Sequence, residues 1–566
     1  MFSVSKPRPM VNLPVQSITA GEGLFAFLAL SAFVVILQSA AGAYASGFGG
    51  YPDEPAHLVT ALMMRDFILG LDFHHPLQFA QQYYYHYPKV AIGHWPPLFY
   101  VVLSVWFLIV GASRVTALLF IALLAAATAG IIYMTGRRLM GRWAGLLASV
   151  LFVISPVVQE SSARLMTEDF SALLMLTSAL CFARFARTGR IRDGLAFGIT
   201  AALAILAHPN AWALGLIPPL AIALTSRWWL LRRWGLWLSA LPVLLLAVPW
   251  YVFTLKLLED GVGAGSPFWI QAWGFAWSLY GTLGIVAVVF IAIGFWATIV
   301  RVSPRSEVAP EWAALIALAI ATFALHSIIP TGVENRFTVP IVAALVLFAP
   351  AGIDAVVQRL RYPGANGVAR IAGSLALIAL FAVQRFSLPL DLRNGGYDAL
   401  VHDVTAQIGN GPQDWLISSG ATGEGCLVAA IDLQEGQAKN QAKSYVLRAK
   451  TILAGGDWAW NNTEDRFDTP EKLAKLLDEM PVTVVVIDNN IPPVDERPYQ
   501  ARLKDLLARD TDKWERIGTY SQIQDGVEIP NSLIVYARRP ISALQIAAPP
   551  VRLDRLKALM VRNELR

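Results

Sequence analysis

The chain of 566 residues is 55% hydrophobic and only 15% charged, with a formal net charge of +5 at pH 7. Its mean hydropathy of +0.51 excludes a soluble globular protein of this size and indicates helical membrane spans. The basic excess does not indicate a nucleic-acid partner, because it lies in short Arg clusters between apolar runs, where it orients spans and meets anionic lipid. The two cysteines, Cys181 and Cys426, give no disulfide framework or metal spacing.

Lys and Arg residues cluster in alternate loops along the chain. The six clusters lie at residues 6–8, 137–142, 184–192, 227–233, 301–305 and 359–370. Positive loops beside spans stay in the cytoplasm, so we predict these segments inside and the loops between them outside. The first apolar run ends in Ala43-Tyr44-Ala45, which resembles a signal-peptidase site, but the run is longer than a usual signal core. Cleavage there would leave the later topology unchanged.

The apolar runs predict eleven spans, with the N-terminus inside and the C-terminus outside. They cover about residues 23–45, 114–135, 144–160, 169–187, 193–208, 211–226, 234–256, 276–300, 312–330, 337–357 and 369–388. A further apolar stretch, Leu98–Val110, is short for a span, and a crossing there would invert every later basic loop. We therefore predict a helix that lies at the outer membrane surface.

The composition changes after Pro389 to that of a soluble α/β domain on the outer face. Strand-like runs lie at 415–419, 482–488 and 532–537, and helix-like runs lie at 470–479 and 499–508. The prediction is thus a polytopic all-α membrane domain followed by an α/β domain. The membrane domain covers residues 1–389 and includes an outer loop at 47–113, and the extracytoplasmic domain covers residues 390–566.

Polar residues collect in the outer loop between residues 47 and 97. This segment holds Asp53, Glu54, five of the eight histidines and a tyrosine-rich run at 83–87. A carboxylate at the low-dielectric boundary could act as a general base. Asp53, Glu54 and His57 could instead bind a divalent cation. The third interpretation is a helix N-cap at Asp53 with Pro55 in the first turn, and spacing alone favours this cap.

Three further polar groups lie at predicted outer edges: His94 and Trp95 before two prolines, Arg164 with Glu168 and Asp169, and Glu334 with Arg336. The first group also fits a simple turn with a Trp anchor at the interface. Arg164 and Glu168 are four residues apart and could merely pair. Arg336 could snorkel at the interface, or it could clamp a phosphate with two hydrogen bonds.

Taken in chain order, these motifs resemble those of the GT-C membrane glycosyltransferases. The resemblance is strongest to dolichyl-phosphate-mannose protein mannosyltransferase-like and lipid A aminoarabinose transferase-like proteins, and it covers about residues 20–390. Asp53-Glu54 stands where that superfamily carries an acidic pair. The later matches are His94-Trp95-Pro96-Pro97-Leu98, with Trp95 as a departure, Ser162-Ala163-Arg164 with Asp169, and Glu334-Asn335-Arg336-Phe337 with Pro340.

The resemblance implies an enzyme that moves a sugar, with inversion, from a polyprenyl-phosphate donor to a lipid, glycan or protein acceptor. The reaction would take place on the periplasmic or extracellular face of the plasma membrane. Such transfer needs a base for the acceptor and positive charge for the leaving phosphate. We expect Asp53, with Glu54, in catalysis, and Arg336, Arg164 and Lys89 at the phosphate. The residues expected to bind sugar or acceptor are His57, His94, Trp95, Tyr85, Glu334 and Asp169. A divalent cation is left open, with Asp53, Glu54 and His57 as its ligands.

The alternative from another functional class is a transporter or flippase of a lipid-linked substrate. Transporters place ionisable residues inside their spans, near the bilayer midplane. Here the spans are nearly free of charge, and the polar residues gather in one outer loop. This distribution favours the enzyme, and it identifies neither the sugar nor the acceptor.

Overall fold

The computed structural model describes residues 19–541 except 72, 92, 260–266, 330–331, 361–365, 387–390, 410, 437–442, 456–463 and 481. Its first part is helical. The helices are α1 (Ala20–Ala40), α2 (Asp53–Gly70), α3 (Pro76–His86), α4 (Leu98–Val110), α5 (Arg114–Met140), α6 (Arg142–Ile154), α7 (Pro156–Ser162), α8 (Glu168–Thr188), α9 (Ile191–Ala207), α10 (Ile217–Thr225), α11 (Trp234–Leu238), α12 (Ala240–Pro242), α13 (Val248–Glu259), α14 (Phe268–Phe295), α15 (Pro310–Ile328), α16 (Val339–Leu345), α17 (Phe348–Leu360) and α18 (Asn366–Phe386).

Six segments of the described chain are long and apolar enough to cross a membrane: α1, α5, α8, Trp234–Leu255, Phe268–Val300 and α15. Two bent pairs, α6 with α7 (62°) and Asn335–Leu345 with Phe348–Arg359 (44°), raise the number to eight if each pair is one span. The other three predicted spans correspond to α9, Pro209–Thr225 and Gly367–Val383, which are shorter than a usual span. The polytopic helical architecture is confirmed, and the count of eleven stays a prediction.

We call the described residues between 47 and 113 the outer segment. The bend between α6 and α7 brings the loop at residues 163–167 close to this segment. Ser155 is extended (φ −64°, ψ 138°), and Pro156 opens α7. A residue before proline avoids the helical region, so the helix breaks at this position. The chain then continues through residues 163–167, where Leu165 N donates to Glu54 Oε2, before α8 begins at Glu168.

Glycines allow some of the long helices to pack backbone against backbone. A Cβ added at Gly294 of α14 would come within 2.0 Å of Phe348 O, and one added at Gly352 of α17 within 2.0 Å of Phe290 O. Small residues at such crossings are typical of membrane helices, where close van der Waals contact drives association.

The last part of the described chain is a five-stranded sheet with helices. Its elements are α19 (Tyr397–Ile408), β1 (Asp414–Ser418), α20 (Ala421–Glu435), β2 (Tyr445–Arg448), α21 (Ala449–Leu453), β3 (Ala454–Gly455), β4 (Glu464–Asp465), α22 (Pro470–Glu479), β5 (Val484–Asp488), α23 (Pro498–Arg509), β6 (Trp514–Gln524) and β7 (Val527–Arg538). The strand order is β2-β1-β5-β7-β6, and β3 pairs with β4 separately. Strands β2, β1 and β5 are parallel, and β7 and β6 continue the sheet antiparallel. The predicted strands and helices are therefore confirmed.

The sheet packs directly on the outer segment that precedes α5. One hydrophobic cluster contains Leu58 of α2, Phe99 of α4, Leu427 of α20 and Val484 of β5. The Tyr83 hydroxyl also donates to both oxygens of Asp432, at 2.8 and 2.9 Å. The outer segment therefore shares its core with the C-terminal sheet.

Candidate active site

Hydrogen bonds of Glu54 connect the outer segment to the loop between α7 and α8. Its Oε1 accepts from the backbone N–H groups of Gly50 and Tyr51 at 3.0 and 3.2 Å, and its Oε2 accepts from Leu165 N at 3.0 Å. Burial raises the pKa of Glu54, while Arg164 and the three backbone donors oppose this rise. Both oxygens are already engaged, so the geometry favours a positioning role for Glu54 over a catalytic one.

The favoured prediction of an N-cap at Asp53 is wrong. Helix α2 begins at Asp53 itself, its N-cap residue is Pro52, and no side chain caps it. The Asp53 carboxylate instead lies 3.0 Å from Nη2 of Arg336. Its side chain is 32% exposed, whereas that of Arg336 is buried. An accessible carboxylate thus lies beside a buried cation.

Arg336 contacts three carboxylates that come from separate parts of the chain. Besides Asp53, its Nε lies 3.4 Å from Glu168 Oε1 and donates to Glu334 Oε2. Its Nη1 faces the sulfur of Met166 at 3.8 Å. A thioether is a weak acceptor, so this edge of the guanidinium is the one best able to take a new oxygen ligand.

Tyr51 lies between two guanidinium groups. Cζ of Arg164 is 4.6 Å from the ring centroid, and Cζ of Arg336 is 4.9 Å away. The Tyr51 hydroxyl donates to Glu160 at 3.3 Å. Burial and the nearby Glu160 charge raise the pKa of Tyr51 to about 12, so the phenol stays protonated. The ring therefore separates two cations without adding charge.

The predicted pairing of Arg164 with Glu168 is wrong. Nη1 of Arg164 binds Glu160 at 2.8 Å, whereas Glu168 faces Arg336. The spacing of four residues does not apply because α7 ends at Ser162 and α8 begins at Glu168, so no helix joins the two. Arg164 reaches the site by passing over Gly50, where an added Cβ would come within 2.5 Å of its Nε.

A row of aromatic and imidazole rings extends from α2 to Arg336. His57 Nδ1 lies 2.9 Å from the Tyr100 hydroxyl, and its ring is 5.6 Å from that of Trp95. Burial lowers the pKa of His57 to about 4, so the ring is neutral. His208 follows at 5.1 Å from Trp95, and His326 stacks on Phe337 at 4.9 Å.

Among the residues that the structure describes, the buried Nε2 atoms of His57, His208 and His326 have no hydrogen-bond partner. In a folded protein, such atoms need an explanation, and a bound polar ligand is one. No role was predicted for His208 or His326 from the sequence. Their signal was position alone, at the outer ends of two predicted spans.

The three residues predicted as metal ligands do not converge. Glu54 binds backbone donors, His57 directs Nδ1 at Tyr100, and Asp53 binds Arg336. Within the described ranges, no group of three or more His, Cys, Asp or Glu side chains is arranged to hold a metal ion.

Comparisons with known proteins agree with this architecture. A model of the dolichyl-phosphate-mannose-protein mannosyltransferase family matches residues 94–253. The structure is similar to ArnT from Cupriavidus metallidurans in the apo state, with a TM-score of 0.55 and 14% identity over 94% of this chain and 100% of ArnT. ArnT bound to undecaprenyl phosphate gives a TM-score of 0.53 and 15% identity over the same shares of both chains.

A second similar structure is the archaeal oligosaccharyltransferase AglB from Archaeoglobus fulgidus, in complex with an inhibitory peptide and a dolichol-phosphate. The TM-score is 0.50, with 14% identity over 93% of this chain and 77% of AglB. No curated protein matches the sequence. The chain has the GT-C fold. It is a multi-pass membrane protein that resembles the mannosyltransferase and ArnT branches.

The GT-C chain does not bring all the predicted residues to Asp53. Tyr85 is buried in the core of the sheet region with Leu416 and Val485, and its role in binding sugar stays a prediction. Asp169 is also buried, and it accepts from Ser161 at 2.7 Å, which indicates that it joins α7 to α8. The role predicted for His94 in binding sugar or acceptor stays a prediction.

Lys89 is the third predicted residue with different surroundings. Its Nζ donates to Ala421 O at 3.4 Å, at the start of α20, and its neighbouring charges are mainly those of Arg448, Lys450 and Glu424. The predicted phosphate residues of the GT-C chain therefore fall into two separate groups, one around Arg336 and one around Lys89.

Proposed function

We propose that this GT-C chain is a glycosyltransferase that moves a sugar from a polyprenyl-phosphate donor to an acceptor, with inversion. The observation that carries the proposal is the accessible carboxylate of Asp53, 3.0 Å from the buried guanidinium of Arg336. Lipid phosphates bound to ArnT and AglB, and the peptide bound to AglB, support this class of donor and a lipid, glycan or protein acceptor.

Asp53 and Arg336 would act together in a single displacement. The donor phosphate would take hydrogen bonds from Arg336, beginning at the Nη1 edge, and negative charge on the leaving oxygen would be stabilised there. Asp53 would then lose part of its ion pair, which would free a carboxylate oxygen for the acceptor. It would take the proton of the acceptor hydroxyl while the new bond to the anomeric carbon forms and the bond to the phosphate oxygen breaks.

The buried histidines offer ring nitrogens to a sugar. Hydroxyl groups of the sugar could bind Nε2 of His57, His208 or His326, which have no partner among the described residues. The faces of Trp95 and Phe337 would pack against the apolar side of the ring. We keep Glu334 as a residue near the sugar, because its side chain is 37% exposed.

The site is proposed to face the periplasm or the outside of a plasma membrane, with the N-terminus in the cytoplasm and residues 390–566 as the outer domain. Arg114 at one end of α5 binds Asp398 of the sheet region, and Arg137 near the other end binds Glu22. The 27 residues of α5 span about 40 Å. This length supports a basic inner end opposite the site.

The test is sugar transfer in membranes from a panel of radiolabelled polyprenyl-phosphate sugars. We expect Asp53→Asn to lower the rate by about 10²- to 10⁴-fold, while Glu334→Gln keeps most of it. The reverse order would make Glu334 the base. If the folded wild-type chain transfers no sugar from any donor, the enzyme proposal fails and the carrier of a lipid-linked substrate becomes the better account.

A further inference from the structure

The imidazoles of His57 and His208 both pack against the ring of Trp95. The ring centroids of His57 and Trp95 are 5.6 Å apart, and those of Trp95 and His208 are 5.1 Å apart. Both imidazoles are buried, whereas Trp95 is only partly buried. The two histidines therefore lie just behind a ring that a ligand can reach.

The hydrogen bond at His208 shows where its ring proton lies. The backbone N–H of Asn210 donates to His208 Nδ1 at 3.1 Å. A backbone N–H can only donate, so Nδ1 must be the unprotonated nitrogen and the ring must be neutral. A neutral imidazole carries its single proton on the other nitrogen. Nε2 of His208 is therefore an N–H donor.

His57 has the same proton arrangement for a different reason. Its Nδ1 lies 2.9 Å from the Tyr100 hydroxyl, and burial lowers the pKa of His57 to about 4, so the ring is neutral. Burial also raises the pKa of Tyr100, whose hydroxyl keeps its proton. In the described part of the chain, that hydroxyl has no acceptor other than His57. A buried O–H needs an acceptor, so Tyr100 donates to Nδ1 and the ring proton of His57 lies on Nε2.

His86 shows the opposite arrangement in the same outer segment. Its Nδ1 lies 2.9 Å from the carbonyl oxygen of Ser444, which can only accept, so the ring proton lies on Nδ1. Its ring also stacks on that of Tyr445 at 4.2 Å. This hydrogen bond joins α3 to the chain just before β2. The proton of His86 is thus used to hold the protein together.

The Nε2–H groups of His57 and His208 have no such use. Among the described residues, neither Nε2 atom has a hydrogen-bond partner, and both are buried. A buried N–H without an acceptor is unfavourable, so a ligand is the natural source of one. Phe337 lies 6.1 Å from the His208 ring, and Cζ of Arg336 lies 5.2 Å from the Phe337 ring. The two donors are therefore close to the residue proposed to bind the donor phosphate, to which the sugar is attached.

We propose that His57 and His208 are two fixed N–H donors that bind oxygen atoms of the donor sugar, and that Tyr100 is the positioning residue that sets the tautomer of His57. The inference rests on the proposed transfer reaction, and it deepens that reaction by stating what the sugar must offer. The sugar presents hydroxyl or carbonyl oxygens to both imidazoles. An ammonium group only donates, so an amino group of the sugar cannot bind at either ring.

The first test locates the ring protons directly and needs no sugar transfer. The full-length chain is labelled with isotopic histidine and studied by nitrogen NMR at neutral pH, and each signal is assigned by its loss in a Gln variant. We expect protonated Nε2 in His57 and His208 and protonated Nδ1 in His86. In Tyr100→Phe, His57 should show both tautomers and His208 should not change. A protonated Nδ1 in wild-type His57 or His208 would refute the donor assignment, and an unchanged His57 in Tyr100→Phe would refute the role of Tyr100.

The second test separates binding of the sugar from binding of the phosphate. Each polyprenyl-phosphate sugar of the panel, and polyprenyl phosphate without a sugar, is titrated into the chain without acceptor. The amide nitrogen of Gln lies one carbon farther from the backbone than that of Asn, so Gln can replace Nε2–H and Asn cannot. We expect His57→Asn and His208→Asn to weaken binding of the best sugar-bearing lipid by about tenfold, and His57→Gln to weaken it less. Binding of the lipid without a sugar should not change.

The matched control is His86→Asn, because Asn can replace the Nδ1–H group that donates to Ser444. This variant should bind both kinds of lipid as the wild type does. If the wild type binds no sugar-bearing lipid more tightly than the lipid without a sugar, the sugar does not contact these rings and the proposal fails. An equal loss for both lipids in His57→Asn would place the imidazoles at the phosphate instead. Sugar-selective binding without any transfer would support this subsite while the enzyme proposal fails.

Discussion

The surroundings of Arg336 and Lys89 differ, although both residues lie near the first turn of α2. Arg336 is held by Asp53, Glu168 and Glu334, so one cation meets three carboxylates. Lys89 instead donates to the backbone carbonyl of Ala421 at 3.4 Å, and its neighbouring charges are mainly those of Arg448, Lys450 and Glu424. A site that stabilises charge formed during a reaction can keep carboxylates that exchange places with the substrate, and this description fits the surroundings of Arg336.

The largest effect in this comparison is expected from Arg336→Gln and Arg336→Lys. Loss of the guanidinium should lower the transfer rate by about 10²- to 10³-fold, as for other groups that stabilise a developing anion. Lys should restore little of it, because an ammonium cannot bind Asp53, Glu168 and a phosphate oxygen through a planar fork. The measurement is kcat with saturating donor. Wild-type kcat in Arg336→Lys would refute a planar, directional role.

A smaller loss is expected from Gly50→Ala. The new methyl group would come within 2.5 Å of Arg164 Nε and 2.9 Å of Glu54 Oε1. The loop would have to shift, and a displacement of about 1 Å at a catalytic site lowers rates by up to about 10²-fold. Gly70→Ala, at the end of α2, is the control because a Cβ there meets nothing within 4 Å in the described part of the chain. Equal activity of both variants would show that the loop position is not critical.

The sequence identified Asp53 and Arg336 as candidate site residues, but it could not show that they contact each other. Asp53 and Arg336 are 283 positions apart, and only their place at predicted outer edges connected them. The pairing of Arg164 with Glu168 failed because the helical spacing was applied across the break between α7 and α8. Glu168 gained its role through the same break, which turns it towards Arg336.

The sheet region shows what sequence patterns omit. Its predicted strands and helices are present, because buried parallel strands and an amphipathic helix have clear periodicities. The patterns gave no sign that this region covers the outer segment. Tyr85 was expected to bind sugar or acceptor, and nothing in the sequence indicated that it lies in the core of the sheet region. Lys89 was grouped with Arg336 in the prediction, but it contacts Ala421, which lies more than 300 positions after Lys89 in the chain.

The smallest effect is expected on stability alone, at Asp432. This buried carboxyl accepts from Tyr83, and burial raises its pKa to about 8, whereas an unfolded Asp ionises near pH ~4. Between these values, the folded chain binds a proton that the unfolded chain lacks, so stability falls as the pH rises through this window. Asp432→Asn should therefore flatten the decrease in melting temperature between pH 5 and pH 8. The control is Asp478→Asn, since ion pairs with Lys513 and Arg538 lower the pKa of Asp478 and its contribution is constant over that range. An unchanged slope in Asp432→Asn would show that this carboxyl is ionised in the folded chain, with Lys443 and Arg65 as the cations that stabilise it.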